Sequence, residues 1–451
     1  MASITLRPEV RDAILEGSPW VRREDIVRIE GAPSLGDPVI VRDHHGDFLG
    51  SGLFSPRSRI PLRIMSRDPE ERLDRGAIHR RIERALTLRR EHLALGFGSR
   101  GGEEAYRWIH GEADELPGFF VDRLGQVAVM RITCPALLRY EADLVGAIAR
   151  ALPKGTVYGA GRLLAPERTG PHESPPRRAA QHPSAAPKGG ELGPRLTLLR
   201  GEARELLSFS ENGARIEIPL ELFEVSGFSL AYRLIRHEVA EVCRGRELLE
   251  IGGAGSLCSL VALQAGASGA TAIEPEPLLA ASLRSRAERI GVGDRFELIA
   301  QRGPSALRAL HASGRRFDCL CLLPNRALFG KTQGGATDFE PAKLGTLLRL
   351  GLRSLRDEGT LIFGGPPGHA PSSLRDPSLE ELLAHATRME SRQATVIRRL
   401  GAGPDFPRLV GFREAPVVEA FTVIVRRRRR PSMGSNKSAS NRPHPPTTPA
   451  E

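Results

Sequence analysis

Aromatic side chains are scarce in this chain: two Trp, four Tyr and 16 Phe among 451 residues. Aliphatic side chains must therefore fill its cores, and a hydrophobic content of 40% is enough for that. Cysteine is scarce too, five in all, odd in number and without an even framework of spacings. That argues against a secreted disulfide scaffold and fits free thiols in a reducing compartment. The opening MASITLRPEV has no apolar signal core. No apolar run approaches the ~20 residues that a membrane helix needs, and LCSLVALQAGA is only core-sized. The expectation is a soluble, cytoplasmic protein of two or three domains, with no metal. Acidic residues fall short of basic ones, 54 against 65, leaving a formal charge of +11. Such a surplus favours a polyanionic partner such as nucleic acid, although Arg-rich composition and a basic tail can also supply it.

Two stretches hold too little apolar surface to offset the entropy of ordering. Residues 166–190 (PERTGPHESPPRRAAQHPSAAPKGG) contain six Pro and read as a disordered insertion in a loop; residues 431–451 contain five and read as part of a disordered tail from 429. Residues 1–75 carry short strands, DIVRIE, DPVIVRD, DFLGSGLF and RIPLRIM, with the turn signals APSLGD and HHGD between them. They predict a small β-barrel-like module. AIHRRIERALTLRREHLAL (77–95) reads as a helix with Ile82, Ala85 and Leu86 on one face and Arg81, Arg84 and Arg89 on another. Residues 76–204 together read as a mixed α/β middle domain. From 205 to 428, after the β-rich LSFSENGARIEIPL, strands alternate with helices, which predicts a parallel, doubly wound sheet. VVEAFTVIVR closes it as an edge strand pair or the final strand.

The strongest local signal is LLEIGGAGSLCS (248–259). A strand delivers the chain to Gly252, Gly253 and Gly255, where small residues let the backbone approach a ligand, and the following helix offers free N–H groups. Glu274 ends the next strand, where a carboxylate can accept hydrogen bonds from both hydroxyls of a ribose. Glu250 is a second acid, at the end of the first strand. The pattern ExGxxG leans toward S-adenosylmethionine over a dinucleotide. The bland reading is a tight turn between strand and helix.

Several separate stretches, in order, resemble one family. LRPEVRDAILEGSPWVRREDI, GDFLGSGLFSPRSRIPLRIM and HRRIERALTLRR are similar to its N-terminal PUA module; YRWIHGEADELPGFFVDRLG to a middle-domain signature, with His110 in place of Asn; FSENGARIEI, SGFSLAYRLIR and GAGPDFPRLVGFREAPVVEAFTVIV to its catalytic domain. The chain resembles the bacterial 23S ribosomal RNA cytosine-5 methyltransferases. The resemblance implies a PUA-like β-barrel, an α/β middle domain and a Rossmann-like class I methyltransferase domain. It implies S-adenosylmethionine as cofactor and ribosomal RNA as partner. Glu250, Gly252, Gly253, Gly255, Glu274, Phe228, Arg233 and Pro324 fall at its cofactor-binding positions, and Arg57, Arg59 and Arg63 become phosphate partners, each with the alternative of a plain surface charge.

The chain departs from that pattern where the chemistry is done. The family's DPP motif is here Leu323-Pro324-Asn325, and its Cys after the fifth strand is replaced by Gly364-Gly365-Pro366-Pro367. Carbon-5 methylation needs a thiolate. Cys319 and Cys321 alternate onto one strand face and read as core, and Cys258 faces cofactor or core. Catalytic residues stay unassigned. Asp405 reads as a turn cap, and Arg426–Arg430 as either a phosphate grip or a solvated terminus. Three readings remain: an RNA methyltransferase acting on cytosine, a non-catalytic RNA-binding descendant, and a methyltransferase with a changed target. The oligomeric state, a homodimer included, is open.

Overall fold

The computed structural model describes residues 2–93, 105–160, 196–252, 257–323, 340–365, 377–412 and 418–428. Gly253, Gly255, Pro324, the insertion 166–190 and the tail 431–451 lie outside them.

Four sheets organise the chain. The first has six strands. It contains all four strands expected from the sequence, and adds Ala2–Leu6 and the two-residue strand Trp20–Val21. Ala2–Leu6 sits between Ile26–Glu30, antiparallel, and Pro38–Arg42, parallel. Its aliphatic side chains Ile4 and Leu6 are fully buried, so an interior strand is formed by a segment whose sequence shows only brief alternation.

The middle sheet has five strands. Three run antiparallel, Ala105–His110, Phe119–Leu124 and Val127–Ile132. The helix Glu141–Ala151 then carries the chain across to Thr156–Gly159, parallel to Val127–Ile132. The helix Arg75–Leu88 packs Ile78, Ile82, Ala85 and Leu86 against this core. Its arginines do not share one polar face. Arg84 is exposed, but Arg81 and Arg89 are 1% and 2% exposed. Arg81 is held by Glu71 at 2.7 Å and by the Met65 carbonyl, and Arg89 pairs with buried Asp114. Partners distant in sequence make burial of these cations tolerable, which helical periodicity cannot reveal.

A two-stranded hairpin, Leu206–Glu211 with Ala214–Pro219, turns on Asn212-Gly213, both at positive φ. It leads into the seven-stranded sheet. In spatial order the strands are Phe296–Ile299, Gly269–Ile273, Glu247–Ile251, Phe317–Leu322, Leu355–Gly364, Glu419–Arg427 and Arg392–Gly401. Numbered within the sheet this is 3-2-1-4-5-7-6, with the seventh strand antiparallel. Glu419–Arg427 is thus the final strand but not an edge. The edge is Arg392–Gly401, whose Arg-rich sequence hid it. Helices Arg233–Val242, Cys258–Gln264 and Pro277–Arg289 cover one face of the sheet, and Gly303–Ala312, Pro341–Ser354 and Leu379–Met389 the other. Among the described residues no helix is long and apolar enough to cross a membrane.

Candidate functional site

In a doubly wound sheet the ligand crevice opens at the strand carboxyl ends, where strand order reverses. Here that point lies between Glu247–Ile251 and Phe317–Leu322. Ile251 pairs with Ile273, so Glu274 stands beside Gly252, whose N–H donates to the Ile273 carbonyl at 3.1 Å. Gly252 has φ +93°, a conformation that an L side chain rarely adopts. Glu250 and Glu274 are 1% and 0% exposed. The Glu250 carboxylate accepts from the backbone N–H of Cys258 at 2.9 Å and of Ser259 at 2.7 Å. It therefore caps the helix after the glycine turn, where a negative charge is favoured. The Glu274 carboxylate accepts from the Glu276 N–H at 3.1 Å, which fixes its orientation at the strand end. The two acids differ in their partners: Glu250 is held by the first N–H groups of the helix Cys258–Gln264, and Glu274 by the N–H of Glu276 just beyond its strand.

Buried cations surround these acids. Arg236 is fully buried and bidentate to Glu211, at 2.6 and 2.7 Å, with its guanidinium 4.8 Å from the Phe228 ring centroid. Arg286, 2% exposed, donates to the Glu217 carbonyl at 3.0 Å. Burial beside Arg289 pulls its pKa down to about 10, while Glu250, Glu217 and Glu274 act to hold it up. The Ser259 hydroxyl, in the first turn of the capped helix, is buried with no hydrogen-bond partner among the described residues. An acid at the second strand end, a glycine turn and a capped helix N-terminus together suit the ribose of an adenosine-containing ligand.

Among the described residues, the strand ends on the other side of the switch point are apolar. Strand four ends in Leu322 and Leu323, both 0% exposed. A Cβ on Gly364 would stand 2.9 Å from Leu323 Cδ2 and 2.8 Å from Ala420 Cβ, so Gly364 is needed for this close packing. Tyr232 donates its hydroxyl to the Gly365 carbonyl at 3.0 Å, and burial keeps that hydroxyl protonated far above its usual range. Among the described residues no group of three or more His, Cys, Asp or Glu could hold a metal.

Comparison with known proteins agrees with this arrangement. Residues 4–67 match the PUA-like domain family. Over 412 residues the chain is 25% identical to ribosomal RNA large subunit methyltransferase I of Alteromonas mediterranea, covering 90% of this chain and 94% of the relative. The protein of the same name from Shewanella amazonensis is 26% identical over 409 residues, with the same coverage. The chain is thus similar along nearly its whole length to proteins named ribosomal RNA large subunit methyltransferase I. A solved structure from Streptococcus mutans, assigned as an S-adenosylmethionine-dependent methyltransferase, superposes with a TM-score of 0.72 at 15% identity. It covers 94% of this chain and all of that one, a likeness of fold. A second methyltransferase structure with the same score is a complex with SAH.

Several residues singled out in the sequence are placed otherwise. Arg233 does not face the crevice. Its guanidinium donates to the Ala105 carbonyl at 2.8 Å and to Asp405, both across the seam with the middle sheet. Asp405 is fully buried and also accepts from the Arg107 N–H at 2.8 Å, while Arg89 donates to its carbonyl. It is a clasp between units, not simply a turn cap. Phe228 packs on Arg236, Phe209 and Phe223. Arg63 is engaged with Glu112 at 3.1 Å and lies over the Trp20 ring, whereas Arg57 and Arg59 are exposed. Arg426 is exposed and 3.4 Å from Glu358. Tyr232, Arg236 and Arg286 escaped sequence reasoning, because each is an ordinary helix residue until the fold brings its partner to it.

Proposed function

We propose that this protein is an S-adenosylmethionine-dependent methyltransferase acting on ribosomal RNA of the large subunit. The observation that carries the reading is Glu274, an oriented carboxylate beside the Gly252 turn at the switch point of the sheet. Glu274 would hold the donor's ribose hydroxyls, and Glu250 would hold the turn along which the rest of the donor lies. The bound donor supplies an electrophilic methyl group on a sulfonium centre. Leu323, Gly364 and the Tyr232 ring, all buried, would keep water from the neighbouring strand ends and so strengthen electrostatic contacts inside the crevice. Residues 1–75 would grip RNA, with Arg57 and Arg59 on phosphates, residues 76–204 would bridge, and residues 205–428 would carry the chemistry.

Mass spectrometry of large-subunit ribosomal RNA from a strain lacking the gene tests this. The expected result is loss of one methylated nucleoside; an unchanged modification profile contradicts it. The apolar ends of the fourth and fifth strands favour a second reading, a non-catalytic RNA-binding scaffold. That protein would bind RNA and give no calorimetric heat with S-adenosylhomocysteine.

A further inference from the structure

We propose that the methyl acceptor is a heteroatom of the RNA with its own lone pair, a base nitrogen or a ribose hydroxyl oxygen, and not a pyrimidine carbon. The proposal rests on the reading that this crevice serves methyl transfer to RNA. Carbon-5 of a pyrimidine becomes nucleophilic only after a thiolate adds to the ring, so carbon methylation needs a cysteine within reach of the base.

The chain has five cysteines, and the structure describes all of them as buried. Cys243, Cys258, Cys319 and Cys321 are each 0% exposed and share one apolar core on the face of the sheet covered by helices Arg233–Val242, Cys258–Gln264 and Pro277–Arg289. The Cys319 thiol there lies 3.7 Å from the Val242 carbonyl oxygen. Cys134, 5% exposed, packs in the middle domain with its Sγ 4.0 Å from Ser55 Oγ. Buried thiols in apolar surroundings resist forming the thiolate that would attack. A second, independent observation concerns the walls. Leu322 and Leu323 end the fourth strand, and Phe363, Gly364 and Gly365 end the fifth, so neither end presents a thiol or a carboxylate.

A lone-pair acceptor needs neither. Its lone pair forms the bond to the methyl carbon, the carbon–sulfur bond breaks, and that electron pair stays on sulfur, discharging the sulfonium. An amine or hydroxyl acceptor then loses one proton to water; a ring nitrogen without hydrogen keeps the positive charge. Holding the acceptor in line in a dry crevice supplies the catalysis.

The test uses the full-length protein and unmodified large-subunit ribosomal RNA transcribed with cytidine and uridine tritiated at carbon-5. The RNA is incubated with S-adenosylmethionine bearing a deuterated methyl group. Expected is a deuteromethyl group on a nitrogen or a ribose oxygen in the digested nucleosides, with no tritium released to water. A parallel readout needs no turnover: maleimide labelling of the native protein, with and without RNA, in which all five thiols stay unmodified until the chain is unfolded. A deuteromethyl group at carbon-5 with tritium release overturns the proposal and leaves the methyltransferase reading intact. A cysteine that labels rapidly in the native protein and is protected by RNA also overturns it. No deuterated nucleoside at all, in a protein that binds S-adenosylhomocysteine, overturns the proposal and the methyltransferase reading together.

Discussion

The two sides of the switch point are built from opposite materials. On strands Glu247–Ile251 and Gly269–Ile273, two buried carboxylates survive because each has a donor in place, the helix N–H groups for Glu250 and the Glu276 N–H for Glu274. On strands Phe317–Leu322 and Leu355–Gly364, the corresponding ends are aliphatic and glycine, closely packed. Burying an unpartnered carboxylate costs far more than burying a leucine. The half with Glu250 and Glu274 therefore holds its polar groups together with their partners. In the acceptor half no polar group remains at either described strand end. On the proposed function, binding of the methyl donor and activation of the acceptor would be separable properties of this fold.

The most disruptive way to break the contrast is to place an acid on the apolar side. Leu323→Asp leaves a carboxylate among Gly364, Ala420 and the surrounding core, and should lower unfolding free energy by about 3 kcal/mol or more. Urea denaturation measures it, and a loss well under 1 kcal/mol would mean that this end is wet. Next in size is Glu274→Ala, which removes charge-assisted hydrogen bonds to a ribose diol. At roughly 1.5–3 kcal/mol for such an interaction, affinity for S-adenosylhomocysteine should fall on the order of 100-fold, while urea stability changes little. An unchanged affinity would move the donor site elsewhere.

How much of this was legible in the sequence depends on distance along the chain. The alternation of strands and helices, Gly252 and the strand-end position of Glu274 rest on local spacing, and the fold keeps them. Cys319 and Cys321 share one face, as strand alternation requires, and that face is core. Residues whose role depends on remote partners were misread or unseen. Arg81 and Arg89 read only as a helix face apart from the apolar one, Arg233 as part of the crevice and Asp405 as a local cap. Their partners Glu71, Asp114 and Ala105 come from other elements, and no periodicity encodes that. The edge strand Arg392–Gly401 was hidden because its side chains are largely exposed and its charges mask the alternation.

The seam that joins the catalytic and middle sheets gives a smaller, pH-dependent effect. His110 accepts from Arg107 through Nδ1 at 3.1 Å. Burial, with Arg107 and Arg89 nearby, pulls its pKa down from 6.5 to about 3. The fold holds this ring neutral while the unfolded chain protonates it, so stability is lost as pH falls from 6.5 toward about 3. At pH 5 the penalty is about 2 kcal/mol. His110→Asn should remove it, so that the variant gains on the wild type by that amount between pH 7 and pH 5. Parallel pH curves for the two proteins would show that the ring protonates freely in the fold. The smallest effect belongs to the outer surface: Arg57→Ala with Arg59→Ala should weaken RNA binding a few-fold and reduce the salt slope by about 1 to 2. An unchanged salt slope would remove that loop from the RNA interface.

Titration calorimetry with S-adenosylhomocysteine on the full-length protein bears most directly on the central claim that the acid-lined half still holds the methyl donor. Saturable binding in the micromolar range by the wild type, lost in Glu274→Ala at unchanged stability, is the expected result. Absence of heat from the wild type at millimolar ligand would contradict it.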